Sequence, residues 1–160
     1  MGPAKIEAAR KQLLQSLEGL SSSQVGGRLE KVLEASRDPA EMAWVRVYLV
    51  RGGHIRDDKK AERILRRALD SFAEWANQNR GSRRYFRQAT LVLGNHYQSL
   101  RQHARAIDCY VDARKNCRDR GLVSLSLCAE AKSHYAMGNL TRALMVGHQA
   151  EESGGGNPHA

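Results

Sequence analysis

The sequence predicts an all-α fold: a right-handed stack of antiparallel helical hairpins with an N-terminal helix pair packed against it. Three observations predict it. One hairpin pattern occurs twice, as ATLVLGNHYQSLRQHARAIDCYVDARKNC from Ala89 and as LCAEAKSHYAMGNLTRALMVGHQAEE from Leu127. Only three prolines interrupt the chain, so long helices are free to form. No stretch alternates polar and apolar residues as a half-buried strand would.

The first helix is expected over 4–20, with Ile6, Leu13, Leu14, Leu17 and Leu20 on one side. Gly19 and the serines 21–23 punctuate it. A second helix is expected from about Val25 to Ala35, weakened at its start by Gly26 and Gly27. Asp38-Pro39-Ala40-Glu41 then reads as a helix start: an acidic N-cap, proline at the first position and Glu at the third. The helix that follows, through Trp44, Val45, Val47, Tyr48, Leu49 and Val50, is the most apolar, to be buried or covered by a partner. Arg51-Gly52-Gly53-His54 ends it. Asp57 or Asp58 caps a long helix to about Gln78, whose buried stripe is Ile64, Leu65, Ala68, Leu69, Phe72, Trp75 and Ala76. Residues 79–82 form a turn, with Ser82 as a candidate N-cap.

Four helices follow, near 84–99, 102–119, 122–137 and 140–152. Aligning Ala106 with Ala143 also aligns Ala113 with Ala150 and Gly94 with Ala131, all 37 residues apart. Leu93, Gly94, Tyr97, Ala106, Tyr110 and Ala113 give the small and large spacing that lets paired helices approach and then fills the gaps between turns. Gly138 is placed to end the third of these helices in a left-handed conformation, whereas His134 and Gly147 stand where an aromatic is usual. The organisation expected is a single domain over 1–153, with the repeat pair at 84–152 and a flexible tail at 154–160.

A composition of 41% hydrophobic and 27% charged residues over 160 positions suits a globular core built without disulfides or metal. No apolar run is long enough to span a membrane, and the N-terminus lacks the continuous apolar segment of a secretory signal. Cys109, Cys117 and Cys128 show no CxxC spacing, which points to a reducing compartment inside the cell. Cytoplasm or nucleus is expected, with the mitochondrial matrix left open by the basic first helix. No zinc-type His/Cys cluster, no GxSxG, no phosphate loop and no apolar carboxylate pair is present. His96 and His134 beside Cys109 or Cys117 read as packing residues. The expectation is therefore not an enzyme: no catalytic residues, no cofactor, no metal and no small-molecule substrate.

Charge is unevenly placed. Of the net +9, residues 51–105 carry +8, with thirteen Lys/Arg against five Asp/Glu. Arg80, Arg83, Arg84 and Arg87 surround a turn and helix start, and Arg63, Arg66 and Arg67 join them if the long helix packs antiparallel to the repeat. Such a cluster holds carboxylates or phosphates by charge-assisted hydrogen bonds. Its partner is read first as another protein subunit with an acidic surface. RNA is the alternative, for which Tyr85 and Phe86 would offer base stacking.

LGNHY at 93–97, followed by Ala106, Cys109, Tyr110, Ala113, Arg114 and Cys117, resembles the N-terminal helical-repeat region of the COP9 signalosome subunit 1 family and, more distantly, its proteasome-lid relative. Leu127-Cys128, Ala150-Glu151 with Ser153, and upstream Lys59-Lys60-Ala61, Leu69-Asp70 and Asn79 extend the likeness over about 59–153. A looser similarity joins Glu41 to Trp44 and the LGNHY element to a mitochondrial fission adaptor. The resemblance implies a tetratricopeptide-like scaffold within a multiprotein complex. Subunits of that family continue into further repeats and a winged-helix PCI domain, which these 160 residues do not contain.

Overall fold

A computed structural model describes residues 1–154. Among them the chain forms eight α-helices and one 3-10 turn, with no strand. The helices are α1 (Pro3–Leu17), α2 (Ser22–Ala35), α3 (Pro39–Arg51), α4 (Asp58–Gln78), α5 (Arg83–Ser99), α6 (His103–Arg114), α7 (Arg120–Ala136) and α8 (Leu140–Gly154); the 3-10 turn is Arg80–Ser82. The chain gathers into two compact units, Met1–Ala89 and a second beginning at Thr90, where the sequence reads as one domain over 1–153. Of the expected tail, Gly154 closes α8, and positions from 155 on lie outside the described residues.

In the first unit α3 is the central element, contacted by α1, α2 and α4. Its apolar run needs no partner from outside. Ala40, Ala43, Trp44, Val45, Val47, Leu49 and Val50 are all buried. The start signal works as read, since the Asp38 carboxylate accepts from the Ala40 amide at 2.9 Å. Trp44 donates its indole N–H to the Ile6 carbonyl at 3.1 Å, and its ring meets Phe72 and Tyr85 edge-on at 4.9 and 5.7 Å. The long helix α4 is capped by Asp57, which accepts from the Lys60 amide at 2.7 Å. Its buried stripe is Ala61, Leu65, Ala68, Leu69, Phe72, Trp75 and Ala76, while Ile64 is only half-buried.

Three local expectations are corrected here. Helix α1 stops at Leu17, before Gly19 at φ +75°, and Leu14 lies 39% exposed rather than on the buried side. Helix α2 begins at Ser22, with the Gln24 side chain accepting from the Ser21 amide at 2.9 Å. Gly26 and Gly27 therefore fall inside it. A Cβ on Gly26 would stand 2.8 Å from His54 Nδ1, so the glycine makes room for the loop after α3. Ser82 is buried, and its hydroxyl donates to the Met1 carbonyl at 3.0 Å instead of capping α5.

In the second unit the 37-residue offset recurs in the backbone. Helices α5 and α7 both hold 17 residues, and α6 and α8 start 37 apart. The turns match bond for bond. Leu100, Arg101 and Gln102 amides donate to His96, Gln98 and Tyr97 carbonyls at 3.2, 3.0 and 2.9 Å; Met137, Gly138 and Asn139 donate to Ser133, Tyr135 and His134 at 3.1, 3.0 and 2.9 Å. The left-handed residue of each turn is Arg101 at φ +59° and Gly138 at φ +79°.

Packing at Gly94 follows the expected register. A Cβ there would meet Tyr110 Cε1 at 2.6 Å and Cys109 Cβ at 3.1 Å. Leu93, Tyr97, Ala106, Tyr110 and Ala113 are buried in the first hairpin. In the second, Ala150 is buried and packs with Leu127, Val146, Val123 and Ala131, while Ala143 is half-buried. One helix is shorter than expected. α6 ends at Arg114, not 119, because Asn116 turns left-handed (φ +54°) and Asp119 caps α7 by accepting from the Leu122 amide at 3.1 Å. No helix of the described residues is long and apolar enough to cross a membrane.

Candidate functional site

The seven arginines singled out by the sequence all lie in the first unit, where they form two groups. Arg63, Arg66 and Arg67 are exposed in the N-terminal half of α4, opposite its buried stripe. Arg66 is held by Glu62 at 3.1 Å. From Arg67 to the end of α4 is eleven residues, about 16 Å of helix rise, and the exposed Asp70 and Glu74 lie between. Arg80, Arg83 and Arg84 are exposed around the 3-10 turn and the first turn of α5, and Arg87 is half-buried one turn further on.

The second group is the more concentrated. Asn79 shapes its turn by accepting from the Gly81 amide at 2.9 Å. Gly81 lets the N-terminus pass close by, since a Cβ there would touch Pro3 Cγ at 3.0 Å. Tyr85 anchors the first turn of α5 to the core: it is 1% exposed and donates its hydroxyl to the Pro3 carbonyl at 3.1 Å. The Arg84 guanidinium lies 4.7 Å over the Tyr85 ring and donates to its hydroxyl. Burial pushes the Tyr85 phenol above its usual pKa, and Arg84 acts in the opposite direction. Arg80 and Arg83 reach outward with no carboxylate at ion-pair distance among the described residues.

Electrostatics sharpen this group. The first turn of α5 holds no acidic residue. The start of the helix is the positive end of its dipole, so each arginine placed there opposes stability by about 0.3–1 kcal/mol. The same dipole end and the arginines together attract an anionic surface.

The structure adds a residue that sequence reasoning missed. Arg46 sits on α3, in the most apolar run of the chain, and is only half-buried. Desolvation first, and then the charge of Arg67, lower its pKa from the usual arginine value. It therefore belongs with the α4 group. An arginine inside an apolar helix was the available signal, and the apolar neighbours obscured it.

His134 meets Glu130 at 3.2 Å, and Glu130, 2% exposed, also pairs with Arg114. This joins α6 to α7. Among the described residues no three His, Cys, Asp or Glu side chains gather as metal ligands. Comparison of the chain with protein-family models, curated proteins and solved structures found no match.

Proposed function

We propose that this protein is a non-catalytic interaction scaffold, a subunit of a multiprotein complex, which docks an acidic protein surface through its arginines. The observation that carries the reading is the start of α5. Arg80, Arg83 and Arg84 stand exposed at the positive end of a helix with no acid in its first turn. That arrangement costs folding stability and favours binding of anions. Arg63, Arg67 and Arg46 supply a second point of contact on α4 and α3, suited to an extended acidic partner.

The hairpins carry no chemistry of their own in this reading. They form a right-handed, tetratricopeptide-like stack similar to the N-terminal region of the COP9 signalosome subunit 1 family, acting inside the cell. Protein is preferred over RNA as partner because Tyr85, one of the two aromatics among the arginines, is spent on the core and Phe86 is half-buried.

Titration of a nonspecific single-stranded RNA against the full chain, from low to physiological salt, tests that preference. The reading predicts binding that fades at physiological salt. Tight binding there, with a slope matching several phosphates, would replace the protein partner with RNA.

A further inference from the structure

The surface of α7 and α8 is unlike the rest of the molecule. Of the exposed large hydrophobic side chains, Leu125, Tyr135, Met137, Leu140, Leu144 and Met145 all belong to this hairpin or its turn, with Tyr135 70% and Leu144 76% exposed. The 37-residue recurrence explains the placement of Tyr135, Leu140 and Leu144. In the first hairpin the groove between α5 and α6 is occupied by α7: Gln98 donates to the Ser133 hydroxyl at 3.3 Å, and Arg114 pairs with Glu130. Moved on by 37 positions, Gln98 becomes Tyr135, His103 becomes Leu140, Ile107 becomes Leu144 and Arg114 becomes Glu151. Those equivalents include three of the six exposed apolar side chains, Tyr135, Leu140 and Leu144, with Glu151 open to solvent on the same helix.

We propose that the groove between α7 and α8 is a binding site for an amphipathic α-helix of a partner protein, seated as α7 is seated on the first hairpin. The chemistry of that helix follows from the substitutions. Small side chains face Tyr135, as Ser133 faces Gln98. Apolar contacts cover Leu140 and Leu144. A lysine or arginine stands where α7 carries Glu130, because the groove presents Glu151, with Glu152 next to it, in place of Arg114. A buried pair of like charges would exclude an acidic residue at that point. The site is independent of the arginine patch: it lies in the other unit and takes a ligand of opposite charge.

The test uses the full chain and two side-chain-stapled helical peptides of the α7 sequence, Asp119 to Met137, one unchanged and one carrying Glu130→Lys. Binding is read by fluorescence anisotropy. The lysine peptide is expected to bind at least threefold more tightly than the unchanged one. Glu151→Lys in the chain reverses that order, and Leu144→Glu abolishes binding of both without moving the melting temperature. Failure of both peptides to bind at millimolar concentration overturns the proposal, as does binding indifferent to Leu144→Glu. Sedimentation of the chain alone is the second measurement. A concentration-dependent dimer lost in Leu144→Glu would give the groove to a second copy and overturn it equally, whereas a monomer keeps the groove free for the partner helix.

Discussion

The hairpins α5–α6 and α7–α8 share a backbone and differ in what fills it. Their turns repeat the same three hydrogen bonds. Their interiors are exchanged: the first pairs Gly94 with Tyr110, and the second, 37 positions on, pairs Ala131 with Gly147. One large ring against no side chain is replaced by two small residues. A Cβ on Gly147 would lie 4.0 Å from Ala131, an ordinary contact, whereas one on Gly94 would collide with Tyr110. The difference teaches that helix length and turn geometry set the recurrence, while side-chain volume is free to move from one helix to the other. The faces differ as well. The first hairpin gives its groove to α7 through the Arg114–Glu130 ion pair, whose carboxylate is buried, and the second leaves the equivalent groove apolar and open.

That contrast can be broken or sharpened by substitution. The largest effect is expected at Glu130, which ties α7 to Arg114 on α6 and also meets His134 one turn on in its own helix. Glu130→Ala leaves a half-buried guanidinium without its carboxylate and should cost about 3–5 kcal/mol in denaturant unfolding. A loss under 1 kcal/mol would mean that apolar contacts hold the second hairpin on the first.

Next in size is a pH effect confined to the first hairpin. Burial, with a smaller contribution from Cys109, pushes the Tyr110 phenol from the usual 10 up to about 12, and its hydroxyl donates to Asn95 at 2.7 Å. The folded state thus favours the neutral ring. Its contribution is whole below pH 10, where the unfolded chain also keeps the proton, and is lost as pH rises toward 12. The loss is about 2–3 kcal/mol. Tyr110→Phe should remove that part of the alkaline slope, and an unaltered slope in the variant would refute the assignment.

Smaller changes separate the two glycines. Gly94→Ala should lose about 1–2 kcal/mol, overpacking against Tyr110 exceeding the gain in helix propensity. Gly147→Ala should gain about 0.5–1 kcal/mol, since the space is there and the helix benefits. Equal shifts of melting temperature would erase the distinction drawn between the interiors.

Much of this was legible in the sequence. Asp38-Pro39 and Asp57 announce their helices because capping is local chemistry, and Gly94 reveals the hairpin register because only close approach requires so small a residue there. What escaped depended on distant partners. Nothing near Glu130 says that it is buried, since its counter-charge lies sixteen positions earlier on another helix. Amphipathic spacing continues past Arg114 to Cys117 and predicts a longer α6, while the left-handed turn at Asn116 overrides it. The arginines were visible as a charge run. Their division into two groups was not, because it depends on the rise of α4 and on Asp70 and Glu74 between them.

The central claim is that the arginines at the start of α5 dock a folded acidic protein. It is tested most directly by capture from the native cell with wild-type chain and with Arg80→Glu/Arg83→Glu, each with and without nuclease. Both positions are exposed and without a carboxylate at ion-pair distance among the described residues, and acids suit the positive end of a helix, so the variant should stay folded with a melting temperature at or above that of the wild type. The account predicts a nuclease-resistant set of partner subunits on the wild type that is lost from the folded variant. Partners retained by the variant, or released by nuclease from the wild type, would contradict it.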